Sequence, residues 1–337
     1  MSPRRGRILD YRGAIREALE QALAADPRVF VMGEGVDDPD AVFGTTLGLQ
    51  KRFGPRRVFD TPIAENAMTG VAVGAALAGM RPVLVHMRMD FMLPAMDQLV
   101  NHAAKWRAMF GGRFRVPLVV RAVVGRGWGA AAQHSQSLQG LFMHAPGLKV
   151  VMPSNPYDAK GLLLAAIADD DPVVFVEHRW LYDDAAPVPR APYRVPLGRG
   201  RVARRGRDVT VVAVSLMVRE ALAAADALAP EGIGLEVVDP RTLCPLDEGL
   251  ILRSVRKTGR LLVADTGWRN AGAGAEIAAR VAEKAHGFLK APVCRIATAD
   301  VPTPAGAALE ERFYPSRGTI VAEARRLAGV RRGRRGR

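Results

Sequence analysis

The 337-residue sequence predicts an α/β protein made of two doubly wound domains with mostly parallel sheets. Three observations predict it. Short apolar, β-branched runs alternate with stretches of helical period along the whole chain, as when helices cross between parallel strands. The alternation halts at residues 183–200, which hold four prolines and little periodicity, and then resumes. The length suits two ordinary domains rather than one. We expect a first domain at 1–185, a linker at 186–204, a second domain at 205–328 and a basic tail at 329–337.

The elements follow in order. Residues 13–25 (GAIREALEQALAA) carry apolar positions at helical spacing, and Val29-Phe30-Val31-Met32 reads as a buried strand halted at Gly33-Glu34-Gly35. Val58-Phe59-Asp60 is extended and is stopped by Thr61-Pro62. A helix of small residues follows at about 66–79, then a buried strand from Pro82 to Met89 and a helix at about 94–109. A strong strand at 117–124 runs into the glycine-rich GRGWGAAAQHSQS. Strands at 149–152 and 173–177, with a helix at 156–169 between them, complete the first unit. The second unit reads as strands at 208–214, 235–239, 260–265 and 293–297, with helices at 216–229, 247–258, from 272 onward and 317–328. In such sheets ligands bind at the carboxyl ends of the strands.

Composition narrows the function. With 49% hydrophobic and 24% charged residues the chain has ample core and is not disordered. Two cysteines, Cys244 and Cys294, exclude a disulfide framework and a cysteine-based zinc site, and point to a reducing cytoplasm. No apolar run reaches the roughly 18 residues a bilayer span needs. The net charge of +14 raises nucleic acid as a partner. Yet 41 of the 48 basic residues are arginine, most of them scattered, and the one dense run is the terminal Arg331–Arg337, with an echo at Arg4–Arg7. No zinc-finger spacing, basic zipper or RNP-type aromatic strand accompanies them. We therefore expect neither a nucleic-acid nor a membrane partner.

Three segments carry candidate chemistry. The turn Asp60-Thr-Pro-Ile63-Ala-Glu65 sets a carboxylate at the start of the small-residue helix, either as a helix-dipole complement or as a functional acid. Ala132-Gln133-His134-Ser135-Gln136-Ser137 sets an imidazole among amide and hydroxyl groups after a buried strand, a position suited to proton transfer. Gly272-Ala-Gly274-Ala-Glu276 has part of a dinucleotide fingerprint but neither its full spacing nor its downstream acid, so tight helix–sheet packing accounts for it better.

These motifs, with RVFDTPIAE (57–65), GVAVGAALAGMRPV (70–83), DFMLPAMDQLVNHAAK (90–105), HAPGLKVVMPSNPYDAKGLL (144–163), DPVVFVEH (171–178) and VDPRTLCPLD (238–247), resemble one family in order and spacing. It is the β subunit (E1 component) of the thiamine-diphosphate-dependent 2-oxo-acid dehydrogenases, built from transketolase-like pyrimidine-binding and C-terminal domains. The likeness spans about residues 10–328.

The resemblance implies that Glu65 hydrogen-bonds the cofactor's aminopyrimidine ring, favouring the tautomer whose nitrogen removes the thiazolium proton. A buried turn would keep that carboxyl's proton available. By the same resemblance Phe91 lies against the pyrimidine, Ile63 and Glu34 line the cofactor channel, and His134 with Gln133 handles substrate carboxylate or acyl transfer. Leu118, Val119, Asp169 and Asp171 fall where some members hold a potassium ion. The diphosphate and its Mg²⁺ belong to a GDG motif, and no GDG occurs in this chain. The resemblance thus implies an α-type subunit carrying that motif, a second β subunit in an α2β2 heterotetramer, and a lipoyl acyltransferase that takes the product.

One stretch departs from the family. His86 and Arg88, two apart on the expected strand, share a face near its carboxyl end, where they could read an anionic or polyhydroxylated substrate or meet carboxylates of the α chain. The segments Arg126-Gly-Trp128 and Glu177-His-Arg179-Trp180 are also atypical. We expect 2-oxo-acid decarboxylation with acyl transfer to a lipoyl carrier. The alternatives are a split transketolase-like transferase of ketol or acyl units and a non-catalytic basic binding protein.

Overall fold

The computed structural model describes residues 7–125 and 129–329. Arg126–Trp128, the arginine tail from 330 onward and residues 1–6 lie outside the described residues. The chain divides into two compact units, one ending at Gly198 and also taking in Thr242–Pro245, the other formed by Arg199–Arg241 and the chain from Leu246 onward.

The first unit opens with strand β1 (Ile8–Asp10) and helix α1 (Tyr11–Ala25), whose first turn is capped by Asp10 accepting from Gly13 N at 2.8 Å. Strands β2 (Val29–Gly33), β3 (Val58–Asp60), β4 (Arg81–His86), β5 (Val119–Val124), β6 (Lys149–Val151) and β7 (Val173–His178) then form a continuous parallel array. Helix α2 (Glu65–Leu77) crosses between β3 and β4, and α3 (Pro156–Ala168) between β6 and β7. Asn155 caps α3 and Pro156 starts it, the position where a missing N–H costs nothing. Every residue of β2, β5 and β7 is buried, which explains their unbroken apolar runs. The exceptions inside those runs pair with each other: Arg121 reaches Glu177 at 2.6 and 3.0 Å, Tyr182 donates to Glu177 at 2.9 Å, and Thr45 accepts from Arg121.

The second unit is a five-stranded sheet. It contains β9 (Arg201–Arg204), β10 (Val209–Ala213), β11 (Leu235–Asp239), β13 (Leu261–Trp268) and β14 (Cys294–Thr298), in the order β14-β13-β10-β11-β9. Only the edge strand β9 is antiparallel. Its helices are α4 (Leu216–Leu228), α5 (Glu248–Thr258), α6 (Ala273–Ala285) and α7 (Arg317–Ala328). Val209, Val211, Met217 and Ile320 belong to the core on one face of this sheet, and Ile251, Val255 and Ile277 to the core on the other.

The structure departs from expectation in four places. The proline-rich segment contains β8 (Ala185–Pro187), which pairs antiparallel with β1, and β9 follows it closely. Prolines suit such edge strands, which need not donate on both sides. The short strand β12 (Thr242–Cys244) pairs antiparallel with β6 and extends the first sheet to seven strands, in the order β12-β6-β7-β5-β4-β2-β3. The helix expected at 94–109 is a π-helical turn at Asp97–Ala103 followed by a short turn at Trp106–Met109. Strand β4 ends at His86, one residue beyond the Gly33–Val85 pairing, and Met89–Met92 coils into a 3₁₀ turn instead of extending it.

Candidate active site

The carboxyl ends of β2, β3, β4 and β5 are adjacent, and each is followed by a residue singled out from the sequence. Glu34 comes directly after Gly33, whose φ of +144° brings the backbone so close to Val85 that a Cβ would lie 2.2 Å from the Val85 carbonyl oxygen. Glu34 N donates to that same oxygen at 3.2 Å. After β3, the chain turns through Pro62 and the exposed Ile63, and Glu65 opens α2. Glu65 is half-buried, so the buried turn expected from the sequence is not the arrangement observed.

Helix α2 connects this acid to the sheet. Thr69 lies one turn after Glu65 and therefore on the same helix face. Its hydroxyl meets His86 Nε2 at 3.4 Å, while His86 Nδ1 faces Glu34 Oε1 at 3.7 Å, a charge contact too long for a hydrogen bond. The His86 ring is only 1% exposed. It joins Glu34, after β2, to the helix that begins with Glu65.

Arg88 turns elsewhere. It is buried, and its Nη1 donates to Gly125 O at 2.6 Å, toward β5. The shared face expected of His86 and Arg88 is thus resolved into two separate attachments, because β4 stops between them. Gly125 is equally constrained: its φ is +99°, and a Cβ there would come within 2.8 Å of the His178 ring. Of the atypical 177–180 segment, Glu177 is held by Arg121, and Arg179 lies 4.1 Å from the Phe43 ring centre.

Beyond β5 the chain returns as the loop bearing Gln133 and His134, both exposed. The His134 ring stands edge-on to Phe91, with centroids 5.4 Å apart and planes at 89°. Asp90 fastens this loop: its Oδ1 accepts from Gln136 N at 3.2 Å and from Gln136 Nε2 at 2.8 Å. Burial pushes the Asp90 carboxyl above the ordinary carboxylate range, against the lowering effect of the Gln136 hydrogen bonds. Among the described residues its Oδ2 is buried with no hydrogen-bond partner. Sequence reasoning passed over Asp90, Gln136 and Thr69. The available signal was that Asp90 and Gln136 stand directly beside Phe91 and the histidine motif.

Leu118, Val119, Asp169 and Asp171 are not arranged as an open cation site. Lys149 Nζ holds Asp169 at 2.7 and 2.8 Å and Asp171 at 3.2 Å, and Arg107 holds Asp171 at 2.5 Å. Arg81 takes the Ile167 and Asp169 carbonyls, and Leu118 O accepts from Val173 N. The Asp169 and Asp171 carboxylates are thus already paired with Lys149 and Arg107.

The rest of the site does suit a flat, amino-bearing heteroaromatic ring. It offers an accessible carboxyl (Glu65), an aromatic ring (Phe91) and an exposed apolar side chain (Ile63). Among the described residues no helix is long and apolar enough to cross a membrane.

Comparison with known proteins places the chain in a family. Residues 8–184 match the transketolase pyrimidine-binding domain, and residues 198–320 match the transketolase C-terminal domain. The chain is 47% identical to the acetoin:2,6-dichlorophenolindophenol oxidoreductase subunit beta of Cupriavidus necator, over 95% of this chain and 97% of that one. It is 42% identical to the pyruvate dehydrogenase E1 component subunit beta of Rickettsia felis, over 95% of this chain and 98% of that one. A solved structure described as "Split gene transketolase, inactive beta4 tetramer" superposes with a TM-score of 0.76 at 25% identity, covering 96% of this chain and 99% of that one. Two transketolase-type domains in this order, shared along nearly the full length of such relatives, make the chain a member of the thiamine-diphosphate-dependent E1 β-subunit family of 2-oxo-acid dehydrogenases.

Proposed function

We propose that this chain is the pyrimidine-binding half of a two-chain oxidoreductase that decarboxylates a 2-oxo acid and passes the acyl unit to a lipoyl carrier. The observation that carries the reading is identity of 42–47% across about 95% of the chain to subunits named as dehydrogenase or oxidoreductase β chains. Ketol transfer is the weaker reading, since the transketolase likeness stands at 25% identity.

Bound thiamine diphosphate would supply a nucleophilic thiazolium carbon and an electron sink for the pair left behind when a 2-oxo acid releases carbon dioxide. The residues of this chain would act on its pyrimidine end. Glu65 holds a proton at the ring nitrogen farthest from the reacting centre, Phe91 stacks against the ring, and Ile63 and Glu34 exclude water along its edge. His134 moves a proton during transfer of the acyl group, with Gln133 beside it at the open mouth. The diphosphate and Mg²⁺ fall to an α-type subunit, since the GDG motif is absent from this chain. An α2β2 assembly in the cytoplasm, served by a lipoyl acyltransferase, completes the reading.

The test is reconstitution with an α-type subunit, followed by assay with pyruvate, branched 2-oxo acids, acetoin and ketose phosphates. Product identification decides, because artificial electron acceptors intercept either kind of transfer. Acyl-lipoyl product from an oxo acid supports the reading. A ketose product from a ketose donor and an aldose acceptor replaces it.

A further inference from the structure

The segment after β4 links two places that are far apart in sequence. Arg88 and Asp90 flank Met89 where the 3₁₀ turn begins, and both are buried. Arg88 holds Gly125 O, the point where β5 ends, and Asp90 Oδ1 holds Gln136 through two hydrogen bonds. Gly125 and Gln136 bracket the connection that carries His134. Within it Ala131 has φ +57°, a left-handed conformation that an L-residue keeps only where its surroundings impose it. At its first end Gly125 lies against the His178 ring, which leaves no room for a Cβ.

We propose that Arg88 and Asp90 are positioning residues that form a two-point clamp, one point at Gly125 and the other at Gln136, and keep His134 edge-on to Phe91. This assigns Arg88 a loop contact in place of the substrate contact its sequence position suggested. The catalytic consequence rests on the role given to His134 above, while the clamp itself is measurable without it. Only Oδ1 of Asp90 bonds Gln136, and an asparagine supplies the same acceptor.

Hydrogen–deuterium exchange on the full-length chain tests the clamp directly. R88M, which removes one buried hydrogen bond, should speed exchange in peptides covering 129–137 about tenfold, and D90A, which removes two, at least as much. D90N should restore the wild-type exchange rate, and R88K, which keeps a donor, should fall between R88M and wild type. In the reconstituted pair, D90A should lower kcat for acyl transfer while leaving KM for the oxo acid unchanged. Wild-type exchange at 129–137 in folded D90A and R88M overturns the clamp, and so does a D90N protein as loose as D90A. If H134A transfers acyl groups at the wild-type rate, the role of His134 falls, and the exchange data still decide the clamp.

Discussion

Glu65 stands at the first turn of α2, half-exposed, with Thr69 one turn behind it and His86 beyond. Positioned proton transfer contributes about 10²–10⁴-fold to a rate. Glu65→Gln should therefore lower turnover of the assembled enzyme at least about 100-fold while leaving subunit assembly intact, as gel filtration and steady-state rates will show. Asp90 makes a prediction about pH. Burial raises its folded pKa above the ordinary 3.8, so its contribution to stability is fullest at acid pH and is lost as pH climbs from there through the raised value. Asp90→Asn has no such loss, so its melting temperature relative to wild type should rise between pH 4 and pH 7. A difference that stays flat with pH contradicts this. The Arg121–Glu177 pair, 1% and 0% exposed, is a different case. Removing one member of a buried pair costs about 3–5 kcal/mol. Glu177→Gln should therefore lower the melting temperature by about 10 °C.

At the level of elements, the parallel strands were legible because a strand buried on both faces is largely apolar, and β2, β5 and β7 read that way apart from Arg121, Glu177 and His178. The exact run of α7, Arg317–Ala328, was equally clear, with Ser316 before it and Gly329 after it. Strands β8, β9 and β12 were not legible. They are edge strands of three or four residues, too short for alternation to register, and two of them sit beside prolines. The histidine and glutamate motifs were readable as local patterns, whereas the Arg88–Gly125 and Asp90–Gln136 attachments join positions 37 and 46 residues apart. Spacing along one strand implied that His86 and Arg88 act together. The end of β4 between them, visible only from its pairing with β2, separates their partners. That junction gives an element-scale prediction: Gly33→Ala forces a Cβ against the Val85 carbonyl and should displace Glu34. It should lower the melting temperature by about 5–10 °C, as differential scanning calorimetry will show, since backbone clashes of this kind cost a few kcal/mol.

On the function proposed above, the whole molecule offers half of a cofactor site. Its first unit presents carboxyls, an aromatic ring and a loop histidine at the carboxyl edge of a seven-stranded sheet, and its sequence has no GDG motif for the diphosphate. The charge of +14 first raised nucleic acid as a partner, but Arg81, Arg107, Arg121 and Arg57 each hold carboxylates or carbonyls of this chain. The central claim is that this site is completed by a second chain. Titration calorimetry of thiamine diphosphate with Mg²⁺ into this chain alone, the α-type subunit alone and the reconstituted pair tests it most directly. The account predicts one tight site per αβ unit in the pair, weakened by Glu65→Gln, and no comparable binding to this chain alone. Binding of equal affinity to this chain without its partner would contradict it.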